Sequence, residues 1–143
     1  RKPSVNDGDE VYFAPLTVDG RGKAQPVIIG RGVLRGFKSS NHASKEWIQK
    51  APWMENWPWY CVIDECEILD TVNKDGIPLD SVLNELGSDT YVASYGKNES
   101  IQEVGSKHLQ KNHIRLTGNA KEFIDKKFNK LVEKYGSKTV RSV

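Results

Sequence analysis

The stretch APWMENWPWYCVIDECEILD, residues 51–70, is the part of the chain from which the fold is best read. It holds three of the four tryptophans, Trp53, Trp57 and Trp59, followed at once by Tyr60 and interrupted by Pro52 and Pro58. Its second half, residues 57–70, has the aromatic and β-branched content of a long strand. Alternation along that strand places Trp59, Cys61 and Ile63 on one face and Tyr60, Val62, Cys66 and Ile68 on the other. Both faces start apolar, which predicts a central strand. Trp59 is therefore expected in the core. Trp53 and Trp57 precede the strand, in a polar stretch broken by proline. They are either packed core or the walls of a slot for a flat ligand. Aromatics carried by loops on a rigid scaffold commonly serve recognition. Stacking contributes about 1–3 kcal/mol per base, and burying one methyl group adds about 0.8 kcal/mol.

Upstream, GDEVYFAPL (8–16) predicts a strand entered through a Gly-Asp turn. TVDGRGKAQ (17–25) is a polar connection. PVIIGRGVLRGF (26–37) predicts a strand in which Gly30, Gly32 and Gly36 mark a bulge, a corner or a close backbone approach. Those glycines do not make a phosphate loop, because no helix and no Lys-Ser/Thr pair follows. Residues 38–56 form a polar linker around Trp47. Downstream, GIPLDSVLNELG (76–87) predicts a short helix, with Pro78 near its start and Gly87 at its end. DTYVASYG (89–96) predicts another short strand, and YGKNESIQEVGSKHL (95–109) a polar loop. NAKEFIDKKFNKLVEKYG (119–136) predicts the clearest helix. Asn119 and Glu122 stand in capping-box positions, and Phe123, Ile124, Phe128, Leu131, Val132 and Tyr135 form its apolar stripe. Gly136 stops it.

The 143 residues suit one domain with one core. With 28% charged and 37% hydrophobic residues the chain is globular in composition. No apolar run approaches the roughly 18 residues of a membrane span. The first residues, RKPSVNDGDE, contain no signal-peptide core and no initiator Met, so a piece of a longer, cytoplasmic protein is expected. Cys61 and Cys66 are an odd number of positions apart on one strand. They fall on opposite faces, so two free thiols are expected rather than a disulfide.

The net charge of +2 conceals three blocks: +4 over residues 1–50, −9 over 51–104 and +7 over 105–143. A basic side facing a polyanion is one reading, and a solvated lysine-rich helix is the other. Catalytic signatures are weak. His42, His108 and His113 lie in no hydrolase, zinc-protease or Cys-His context. Asp64, Glu65 and Glu67 lie along the long strand, and Glu65 with Glu67 makes a conceivable acid–base pair. No metal-ligand spacing is present, and no cofactor is expected.

Taken in order, these pieces resemble the YTH domain of the PUA-like superfamily, which also contains EVE domains. VYFAPL stands for the family's first strand and VIIGRGVLRGF for its glycine-bearing strand. APWMENWPWYCVIDECEIL stands for the Trp-bearing loop and the strand after it. GIPLDSVLNEL stands for the Pro-led segment, and DTYVASYGKNESIQEV for the signature strand and loop, ending in Gln102-Glu103-Val104. The helix 120–135 closes the match, which runs over residues 9–135. The resemblance departs from the family pattern in its missing first strand and helix, its longer signature loop and its unusual connection 38–52.

The resemblance implies an α+β fold, a small curved sheet or barrel with flanking helices and a C-terminal helix. It implies a non-enzymatic reader that flips a methylated base into an aromatic cage, N6-methyladenine in DNA being the first choice. Trp53 and Trp57 match the cage walls by position, with Trp47 or Tyr12 as the third wall. Lys97 maps onto the basic residue of the signature loop. Arg31, Arg35, Lys38, Asn98 and Lys107 are the further candidates for backbone contact. Similar domains act as specificity modules of Mcr-type, modification-dependent restriction systems, so the parent chain is expected to carry a GTPase motor that oligomerises. A reader of methylated RNA and a nucleotide-acting enzyme of the same superfamily are the alternatives.

Overall fold

The computed structural model describes residues 6, 8–18, 22–39, 49, 59–108 and 114–141, and the backbone alone of 35–39, 59–64, 106–108 and 141. Seven strands are described: β1 (Glu10–Phe13), β2 (Leu16–Val18), β3 (Ala24–Ile28), β4 (Gly30–Ser39), β5 (Trp59–Leu69), β6 (Ile77–Pro78) and β7 (Ser137–Arg141). Three α-helices are described: α1 (Leu79–Leu86), α2 (Ile101–His108) and α3 (Gly118–Tyr135). The protein is therefore a mixed α+β chain. One sheet has the order β1-β4-β5-β7 and a second has the order β2-β3-β6. The long strand expected at 57–70 is β5, and it has a neighbour on each side.

The chain separates into two compact units. The first comprises residues 1–12, 31–67 and 139–143, and the second residues 13–30 and 68–138. In the first, Leu34 of β4 is buried, and its backbone is held from both sides. Its carbonyl accepts from Gly8 N–H at 2.8 Å, and its N–H donates to the Asp9 carbonyl at 2.9 Å.

The second unit holds most of the described core. Val27 and Ile28 of β3, Leu69, Ile77, Val82 and Leu83 of α1, Tyr91, Val104 of α2, and Ala120, Ile124 and Phe128 of α3 are all buried. Leu83, Tyr91 and Val104 pack as one cluster, covered by Leu79, Ile114 and Leu116. In the three-stranded sheet β3 pairs antiparallel with both neighbours. Pro26 can occupy this middle strand because it faces only β2, opposite Leu16, whereas β6 pairs with Val27 and Ile28. A proline without an N–H is tolerated where no second ladder needs one.

Several local expectations are corrected. The stretches 8–16 and 26–37 are not single strands. Each breaks, at Ala14-Pro15 and at Ile29, and continues in the other sheet. Ile29 serves the break through its backbone, donating to Phe13 carbonyl and accepting from Leu69 N–H, both at 2.9 Å. Residues 89–96 are not a strand. Tyr91 makes one isolated bridge to Leu116, and Val92–Ser94 is a 3-10 turn. Residues 95–109 are not wholly loop, because α2 starts at Ile101 behind a reciprocal cap. Glu103 N–H donates to Ser100 Oγ at 3.2 Å, and Ser100 N–H donates to Glu103 Oε2 at 2.9 Å. The cap of α3 is Thr117, whose Oγ1 accepts from Ala120 N–H at 3.1 Å, so Asn119 is the second helical residue. The strand β7 after Gly136 has no counterpart in the sequence reading. The apolar stripe of α3 is as expected, with Ile124 and Phe128 fully buried.

Candidate nucleic-acid interface

The candidate residues fall in both units. Tyr12 lies on β1, half-buried, and Arg31 lies on β4, the strand beside it. Arg35 and Lys38 continue along β4, where the backbone alone is described. Trp47, Trp53 and Trp57 lie outside the described residues. They belong to the connection 40–58, which leaves β4 and enters β5.

Arg31 is held by a carboxylate. Its Nε and Nη2 both reach Glu67 Oε1 of β5, each at 2.9 Å, and both side chains are about two-thirds covered. Two donors on one oxygen fix the guanidinium plane. The pair also engages Glu67, one of the two carboxylates considered for acid–base work, while Glu65 is exposed. Among the described residues no cluster of three or more His, Cys, Asp or Glu could hold a metal ion. Cys66 is a free thiol, and burial raises its pKa.

In the second unit the chain turns at Gly96 and presents Lys97 and Asn98 to solvent. Lys97 N–H donates to Ser94 carbonyl at 3.0 Å, which fixes the backbone, and its side chain has no ion pair among the described residues. Lys107 lies on α2, where the backbone alone is described. An open cleft of roughly 420 Å³ lies in this unit, lined by Val92, Tyr95, Thr117, Gly118 and Asn119. Its floor is fixed by Thr117, whose hydroxyl donates to the Asp89 carbonyl and accepts from Ala120 N–H. Its wall is Tyr95, 60% exposed, with Val92 beside it at 50%. The cleft is shallow and open, and its solvent-facing phenol ring is a surface on which a flat group can stack.

The sequence reading did not select Tyr95 or this cleft. The available signal was an aromatic flanked by Gly96 and Lys97 in a polar segment.

Comparison with protein-family models, with curated proteins and with solved structures gives no match to this chain. Among the described residues no helix is long and apolar enough to cross a membrane.

Proposed function

We propose that the chain is a non-catalytic reader of methylated nucleic acid, built on a PUA/YTH-like curved sheet. It takes a flipped methyladenine, in DNA before RNA, between Trp53 and Trp57, with Trp47 or Tyr12 behind. One observation supports this most. β4 and β5 are neighbours in one sheet, and neighbouring strands can be joined by about 2–5 residues. The connection here takes all of residues 40–58 and carries three of the four tryptophans. A sequence insertion of that length between paired strands is where binding residues are often carried. Arg31, braced by Glu67, lies near the start of β4, eight residues or about 26 Å along the strand from Ser39 where residues 40–58 begin, and Tyr12 lies on the neighbouring β1, so a Tyr12 wall requires residues 40–58 to reach back along the sheet. Flipping costs a few kcal/mol, so stacking on the indoles and phosphate contacts from Arg31, Arg35, Lys38, Lys97, Asn98 and Lys107 must offset it. A parent chain with a GTPase motor is the setting such a module would serve.

The test is binding to matched duplexes carrying methyladenine, methylcytosine or neither, at stated salt, with an RNA version of the methyladenine site. The expected result is a preference for methyladenine of about fourfold or more, the least that burying one methyl group supplies. Trp53→Ala and Trp57→Ala should erase that preference without lowering the melting temperature. Equal affinity for all duplexes, or unfolding of both variants, overturns the proposal.

A further inference from the structure

We infer that the solvent face of α3 is a second nucleic-acid contact. A strand lies along it with phosphates against Lys126, Lys130 and Lys134 and one unstacked base in the Tyr95 cleft. The geometry starts from the apolar residues of the helix. Ala120, Ile124 and Phe128 are fully buried, so one side of α3 is committed to the core. Around the other side, Asn119, Lys126, Lys130 and Lys134 follow one another at intervals of seven, four and four residues. At about 3.6 residues per turn they share a stripe. Asn119 also lines the cleft, so the stripe begins at the cleft mouth. From Asn119 to Lys134 it runs about 22 Å, at ~1.5 Å per residue.

Among the described residues no carboxylate pairs with the lysines of this stripe. Lys126 and Lys130 are exposed and form no ion pair among the described residues. Glu122 stands one turn before Lys126 and Glu133 just after Lys130, yet neither engages them. Lys127 Nζ lies 4.9 Å from the centre of the Phe123 ring, and Lys134 Nζ lies 5.0 Å from that of Tyr135. A ring steadies an ammonium without cancelling its charge.

The chemistry favours a nucleic acid over a lipid surface. A helix that lies on a membrane keeps an apolar face free to insert beside its basic one, and every apolar residue of α3 is buried or half-buried. What remains is a row of cations ending at an aromatic ring, the combination that tracks a phosphate backbone and stacks a base. This inference shares with the reader proposal only the class of partner, and it is independent of methylation.

The test uses the whole chain and a short labelled single-stranded oligodeoxynucleotide, with and without methyladenine, over a salt series. The double variant K126Q/K130Q should weaken both oligonucleotides alike and lower the slope of log affinity against log salt by about 1.4, two phosphate contacts on a single strand. Tyr95→Ala should weaken both about tenfold and leave the slope unchanged. Wild-type affinity and slope in K126Q/K130Q, with native helix content, overturn the inference. So does binding to phosphatidylserine vesicles, lost in K126Q/K130Q, by a chain that binds no oligonucleotide. Lysine dependence without methyl preference removes the reader proposal alone. Methyl preference without lysine dependence removes this inference alone.

Discussion

At Gly76 the backbone runs so close to β3 that a Cβ would fall against the Ile28 carbonyl oxygen and 2.9 Å from Val27 Cγ1. Neither neighbour can move cheaply, since both belong to a paired strand in the core. Gly76→Ala should therefore cost about 1–3 kcal/mol, the scale of overpacking, read as a lower urea midpoint. Tyr91 makes a different prediction. Its phenol is buried, and burial pushes its pKa from 10 up to about 12. The unfolded chain ionises first, so the stability that the neutral phenol contributes is complete below pH 10 and is lost as pH rises towards 12. Thermal melts across that window should fall for the wild type and fall less steeply for Tyr91→Phe.

For the elements, the helix caps separate what the sequence makes legible from what it hides. Asn119 with Glu122 fits the capping pattern, yet Thr117 caps α3. The reason is tertiary: the Thr117 hydroxyl also donates to the Asp89 carbonyl, and Thr117 N–H donates to Thr90 carbonyl at 3.1 Å. That docks the start of the helix two residues earlier than local pattern indicates. Thr117→Ala should cost about 1 kcal/mol or more, and Asn119→Ala should stay within about 0.5 kcal/mol. Denaturant melts of the two variants check the assignment. The Ser100-Glu103 box ahead of α2 is a sequence-level helix signal, masked by the polar composition around it. Residues 89–96 misled in the other direction. Their β-branched and aromatic residues read as a strand, but Tyr91 is buried as a core plug beside Leu83 and Val104 and keeps only one bridge to Leu116. α1 and α3 are legible because burial acts on one stripe of each, and β5 because a central strand carries a long aromatic and β-branched run.

Across the whole molecule, composition and pattern give the mixed α+β class, and β5 between two neighbours gives the frame of one sheet. The switches between sheets at Ala14-Pro15 and Ile29 were only partly legible. Gly30 marks a corner, but which sheet each half joins depends on contacts far apart in sequence. The tryptophans of the proposed cage lie outside the described residues, so the wall assignments stand on their sequence order. Among the backbone candidates Lys97 is the plainest case, exposed on a fixed turn. Lys97→Ala should weaken methylated and unmethylated duplexes equally and lower the salt slope by about 0.9, measured by anisotropy titrations at several salt concentrations. A last consequence concerns Gly136. With φ at +80° it ends α3, its N–H donates to Val132 carbonyl at 2.8 Å, and the chain passes directly into β7, which covers part of β5. A protease cut at this turn, or a truncation at Tyr135, would strip that cover and leave β5 as a bare edge. Open edges recruit other copies, so the shortened protein should scatter light where the full chain stays clear.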